Sequence, residues 1–266
     1  MVHGSGRSGQ SGGRFSRAPG GERGAAFRTP SRLWPLTIVA AGALLAAAWF
    51  VFAQIDLWSR NGIWGDEYFS IFASDPHQPF AFLFAKRIWP DSNPPLYYSL
   101  LYLYRLLLPD PRVAFLVLNL TTFALAALTI IQNGRRAGLL LTAAACVALF
   151  IISGPALTYA PEGRSYFSAL CVSLVIAWLA AQIVETGAQS RASPTFAALG
   201  ALAALIHPFA ALVAGGFGAG LLSEGLLRRR ADLIRAGLLL GATTTLVFGA
   251  WLAFAIRQMG NLGYLQ

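Results

Sequence analysis

Apolar runs of membrane-spanning length, separated by short segments that carry arginine, dominate the sequence from residue 33 to residue 256. A bilayer core of about 30 Å takes about 20 apolar residues to cross as a helix. Residues 33–53 form the first such run, and 113–131, 138–153, 165–184 and 233–256 follow. The stretch 195–227 is too long for one crossing. His207-Pro208 interrupts it near the middle, which predicts a helical hairpin with a tight outer turn. The pattern predicts an all-α polytopic transmembrane bundle of about seven spans. Composition agrees: the chain is 56% hydrophobic and only 12% charged, whereas soluble domains are about 25% charged.

The net charge of +9 would suit nucleic acid, but the arginines build no basic face. They cluster between apolar runs, as charges that set membrane orientation do. Arg7, Arg14, Arg17, Arg23, Arg28 and Arg32 precede the first run, and Arg135-Arg136, Arg191 and Arg228-Arg229-Arg230 mark later turns. The positive-inside rule then puts the N-terminus in the cytoplasm of a cell with this protein in its inner or plasma membrane. Residues 54–112 and 154–164 become outer loops, and 257–266 an outer stub. Residues 1–32, rich in Gly, Ser and Arg without apolar periodicity, read as a disordered basic cytoplasmic tail. The first run exceeds the 7–15 residues of a signal-peptide core, so it reads as a retained anchor. Cys146 and Cys171 sit inside apolar runs without metal-ligand spacing and read as small core residues.

Seven of the eleven acidic residues fall in the two early outer loops, at Asp56, Asp66, Glu67, Asp75, Asp91, Asp110 and Glu162. Orientation depends on Lys and Arg, so it does not require this gathering. The first loop opens with Trp64-Gly65-Asp66-Glu67-Tyr68 and later reads Asp91-Ser92-Asn93-Pro94-Pro95-Leu96-Tyr97-Tyr98. Residues 94–108 are apolar and aromatic but only about 22 Å long as a helix. Arg105 interrupts them, and they read as a helix lying at the outer surface. Asp66-Glu67 follow the first span, and Glu162 with Arg164 precede the 165–184 span. A carboxylate held at this depth either has a raised pKa or pairs with a cation, and both states serve proton transfer or metal binding. The plain alternatives are helix-capping acids, with Arg164 neutralising Glu162. His207 is a helix-end hydrogen-bonding residue or a ligand. Asp91 and Asn93, two oxygen donors before a rigid Pro-Pro, would orient a metal ion or a sugar hydroxyl, or simply make a turn.

One span, an outer loop opening with Asp-Glu, a Pro-Pro-Leu-Tyr-Tyr helix and a Tyr-x-x-Glu-x-Arg-x-Tyr second loop resemble the GT-C membrane glycosyltransferases. The closest branch is that of the protein O-mannosyltransferases and aminoarabinose transferases. Tyr159, Glu162, Arg164 and Tyr166 stand where that branch has its second-loop motif, and His207 matches a further position. The resemblance covers about residues 54–256. It implies transfer of a sugar from a polyprenyl-phosphate donor to a lipid, glycan or protein acceptor at the outer face. Asp66 is then the base or acceptor-orienting group, with Glu67 and Glu162 as catalytic partners. Arg164 would hold the donor phosphate, with Lys86, Arg87 and Arg105 as further candidates. Asp91, Asn93, Tyr159 and His207 would position the acceptor or a divalent metal. The family often has His before the Pro-Pro pair, where this chain has Asn93, and that argues against a metal there. Family members also continue for some hundreds of residues, whereas this sequence ends at Gln266, which implies a short product or a completing partner. Two other readings are a catalytically incomplete module that binds lipid or a partner, and a small transporter. A transporter calls for internal repeats and midplane charges, and neither is evident in the sequence.

Overall fold

The computed structural model describes residues 33–60, 62–63, 65–91, 93–186 and 192–261, and among these every regular element is a helix. The predicted tail 1–32, Trp64, Ser92, Arg191 and the last five residues lie outside the described residues. The order is α1 Leu33–Arg60, α2 Gly65–Ala73, α3 Phe80–Leu83 running into a π turn at Phe84–Ile88, and α4 Leu96–Leu107. There follow α5 Pro111–Arg136, α6 Leu140–Ile151, α7 Gly154–Tyr159, α8 Tyr166–Thr186, α9 Ala192–Ile206, α10 Pro208–Arg228 and α11 Ala231–Asn261.

Among the described residues, four helices are long and apolar enough to cross a membrane, over Pro111–Arg136, Tyr166–Glu185, Pro208–Arg228 and Ala231–Arg257. The segments Leu44–Asp56, Leu140–Ile151 and Pro194–Ile206 are apolar but shorter. The expected span at 138–153 is therefore only a 12-residue helix, about 18 Å long. Its shortness has local causes. Gly138 turns the chain at φ 73° before it. After it Ser153 accepts a hydrogen bond from Ala156 N and starts α7, with Pro155 in the first turn. The long apolar stretch 195–227 does break at His207-Pro208. His207 has extended backbone, its Nδ1 accepts from Phe209 N at 3.1 Å, and Pro208 occupies the first helical position of α10.

The helix α8 joins two halves of the bundle. Ala169, Val172, Ile176, Ala180 and Ile183, at i+3 and i+4 spacing, face a core shared with α9, α10 and α11. Phe167, Cys171 and Val175 face a second core shared with α1, α5, α6 and α7. With two buried faces α8 is apolar all round, and its hydrophobicity alone does not reveal which side faces the core. A third core lies at one end of the bundle, where Ala73, Leu83, Ile88, Tyr97, Tyr98 and Leu101 pack on Ala114, Phe115 and Leu118 of α5. The predicted surface helix at 94–108 is α4. Tyr97, Tyr98, Leu101 and Arg105 are buried on one side of it, while Leu103, Leu106 and Leu107 are exposed.

Side-chain contacts tie the helices at both ends. At one end Gln54 of α1 donates to Leu157 O at 3.2 Å, and Trp89 meets Phe254 of α11 with ring centres 4.6 Å apart. At the other, Gln182 of α8 donates to Asn133 O, and Arg230 donates to Val184 O and Ile183 O at 2.8 Å each. The first of these ends carries the predicted outer loops.

Candidate active site

Acidic residues in the first turn of a helix are favoured by the peptide dipoles, and α2 begins Gly65-Asp66-Glu67. Adjacent helical residues point in different directions, so the two acids part. Glu67 lies on the face that buries Ser70 and Ala73 and is itself 6% exposed. Asp66 faces outward. Glu67 Oε1 accepts a hydrogen bond from Gly163 N at 2.6 Å. Asp66 Oδ2 accepts from Arg164 Nη2 at 2.5 Å, and the Asp66 carbonyl accepts from Arg164 Nη1 at 3.5 Å. Two consecutive residues of one loop thus meet two consecutive residues of the other.

The second loop holds its shape through α5. Asn119, fully buried, donates from Nδ2 to Ala160 O and to Glu162 O at 3.0 Å each. Gly163 lies flat on the Phe115 ring, where any Cβ would overlap Phe115 side-chain atoms. Beyond it the Arg164 guanidinium lies 5.9 Å from the Tyr166 ring. Tyr166 touches Tyr159 at 5.4 Å and His207 at 4.9 Å between ring centres.

Electrostatics follow from this crowding. Burial raises the Glu162 carboxyl above its ordinary range, and the neighbouring Glu67 raises it further against the pull of Arg164. Burial, helped by Arg164, pushes His207 down to about 4. His207 is therefore neutral at pH 7, and because Nδ1 accepts from Phe209 N, the ring hydrogen sits on Nε2. Tyr97 and Tyr98 are buried and held above the ordinary phenol range. For Tyr97 the causes are burial, then Tyr98 and Glu67; for Tyr98 they are burial and then Asp91, against Arg164. The Tyr97 hydroxyl makes no hydrogen bond among the described residues.

Of the residues singled out in the sequence, Asp66, Glu67, Glu162, Arg164, Tyr159 and His207 come together. Asp91 joins them through Tyr98, and Asn93 Nδ2 donates to Asp91 Oδ2 at 3.2 Å. Three cations do not join. Arg105 is 7% exposed and donates to Ile71 O at 2.6 Å and Ser74 Oγ at 3.3 Å. Arg87 donates to Phe72 O at 2.6 Å and lies 3.7 Å over the Phe72 ring. Both close the C-terminal end of α2, opposite the end that carries Asp66, because carbonyls left open there attract cations. Lys86 is exposed on the π turn. Arg164 is thus the one predicted phosphate cation beside the acids. Asn119, Phe115 and Gly163 shape the site without standing out in the sequence. A lone amide inside the apolar run 113–131 was the available signal.

Among the described residues no three His, Cys, Asp or Glu side chains gather as a metal cradle. What the site does assemble is a guanidinium against an exposed carboxylate, two carboxyls behind it, and a neutral imidazole. That set can take a proton from a hydroxyl and hold an anion nearby. No protein-family model, no curated protein and no solved structure matches this chain.

Proposed function

We propose that the chain is a GT-C-type integral membrane glycosyltransferase that moves a sugar from a polyprenyl-phosphate donor to an acceptor at the extracytoplasmic face. The observation that carries this reading is the Asp66–Arg164 pair, which sets a base candidate against a phosphate-binding cation across two loops. In this reading α1, α6 and α9 complete seven spans with the four long helices, the N-terminus is cytoplasmic, and the site lies outside. Asp66 takes the proton of the acceptor hydroxyl as its oxygen bonds to the sugar's anomeric carbon. The bond from that carbon to the phosphate oxygen breaks, and Arg164 stabilises the departing polyprenyl phosphate. Neutral His207 supplies an Nε2–H donor. Glu67 and Glu162 fix the loop and the local potential.

Sugar transfer by the purified protein in lipid, with a panel of polyprenyl-phosphate sugars, tests the reading. Turnover lost in Asp66→Asn with donor binding kept is the expected result. Donor binding without turnover in the wild type would make the chain a lipid-binding module instead. Failure to bind any donor would refute the proposal.

A further inference from the structure

An amide side chain deep in an apolar helix is costly unless its hydrogen bonds are met. The helix α5 carries three amide side chains, Asn119, Gln132 and Asn133; Gln132 is exposed, and the other two meet the cost in two ways. Asn133 donates to the carbonyl of Thr129, four residues back in its own helix, at 2.7 Å. Thr121 and Thr122 do the same to Val117 O and Leu118 O. These bonds are local and concern α5 alone. Asn119 instead ignores its own helix and donates to Ala160 O and Glu162 O, 41 and 43 residues away. Its Oδ1 accepts from Ser168 Oγ at 3.4 Å, at the start of α8. One turn earlier on the same face, Phe115 carries Gly163.

We propose that Asn119 is a positioning residue for the site. From inside α5 it grips the irregular segment 160–164 by two carbonyls that have no helix to bond to. The grip sets the segment at the height where Gly163 N–H meets Glu67 and Arg164 meets Asp66. The loop is short and ends directly in α8, so a grip at residues 160 and 162 determines where residues 163 and 164 point. Asn119 does not touch the reacting groups. It acts through the peptide that carries them.

The test uses the full chain in lipid nanodiscs. Asn119→Leu is nearly isosteric, suits an apolar helix and removes both donors. Asn119→Asp keeps the size and the acceptor for Ser168 and removes the donors by another route. Asn133→Leu makes the same chemical change where the bond is local. Amide hydrogen exchange of the 160–165 segment is read beside helix content and, with a polyprenyl-phosphate sugar, kcat and KM. Both Asn119 variants are expected to speed exchange in 160–165 at least tenfold, keep their helix content and lower kcat more than they raise KM. Asn133→Leu is expected to change neither readout. Unchanged exchange in a folded Asn119 variant overturns the proposal whatever happens to turnover. So does an equal effect from Asn133→Leu. The effect on kcat rests on the glycosyltransferase reading, whereas the exchange result does not. Faster exchange in a protein whose wild type turns over no donor would support the grip and count against that reading alone.

Discussion

Asp66 Oδ2 and Arg164 Nη2 stand 2.5 Å apart although 98 residues separate them along the chain. The Asp66 side chain is 77% exposed and that of Arg164 18%, so the pair is wet on the acid's side. Exposed pairs of this kind contribute about 0–1 kcal/mol. Asp66→Asn is therefore expected to leave the thermal midpoint almost unchanged. Loss of a positioned base costs about 10²–10⁴-fold in rate, and kcat should fall by that order. Asn no longer competes as an anion for Arg164, so the donor phosphate should bind as tightly as before or more tightly. A donor titration beside a thermal melt checks both expectations, and weaker binding would place Asp66 on the donor instead.

Arg105 should behave in the opposite way. It is buried and bonded to Ile71 O and Ser74 Oγ at the far end of α2. Hydrogen bonds to a charged group contribute about 1.5–3 kcal/mol. Arg105→Met is expected to lower stability by that order while donor affinity per folded molecule stays unchanged. Arg164→Ala should weaken donor binding with little effect on stability. A loss of donor affinity in folded Arg105→Met would return Arg105 to the phosphate site.

The contrast between these two arginines shows what the sequence could convey. Arg105 stands alone in the apolar run 94–108 and Arg164 beside Glu162 in a polar turn, yet residue type makes both candidates for the donor phosphate. What separates them is where α2 ends, and that is settled by tertiary packing of the 80–107 segment. The apolar runs and the His207-Pro208 break were legible because length and proline act locally. The partition of α8 between two cores was not, since a helix buried on both sides has no polar face to mark them. Glu67 was legible as an acid, but its burial was not, because only the angular step from Asp66 to Glu67 in α2 turns it inward. Asn119 was overlooked for a related reason. The groups it donates to are backbone carbonyls, which leave no trace in side-chain identity.

His207 offers a pH test. Its folded pKa is depressed to about 4 from an ordinary 6.5, so the neutral ring is favoured in the folded state. The stability this gives is full above pH 6.5 and is lost as pH falls through 6.5 towards 4. His207→Asn keeps a capping acceptor for Phe209 N and removes the titration. Its melting temperature should decline less over that window than that of the wild type. His207→Ala loses the cap as well and should cost about 0.5–2 kcal/mol at every pH. Parallel melts from pH 4 to 8 separate the two effects.

Glu162 titrates with the reverse sense. Burial and the nearby Glu67 raise its pKa, so the folded state favours the protonated acid. Its contribution is full below the ordinary value of 4.5 and is lost as pH rises through the folded pKa. Glu162→Gln should flatten the melting curve on that side and gain stability relative to wild type at neutral pH. Asn119 holds only the backbone carbonyl of Glu162, so this substitution leaves the grip intact. A Glu162→Gln melting curve that runs parallel to that of the wild type from pH 4.5 to 7 would contradict the assignment.

Gly163 gives the most direct test of the loop geometry. A Cβ there would overlap the Phe115 ring, and the ring has little room to retreat because Phe115 is buried against Tyr97, Tyr98 and Leu118. Overpacking of this kind costs about 1–3 kcal/mol. Gly163→Ala should destabilise the protein by that order and displace the amide that donates to Glu67. Phe115→Leu removes the ring edge, costs stability through the lost contacts, and leaves room for the added methyl. The double variant is therefore expected to be more stable than the sum of the single losses predicts, a coupling that a double-mutant cycle measures directly. Simple additivity would mean that the two residues do not meet, and the second loop would then need another support.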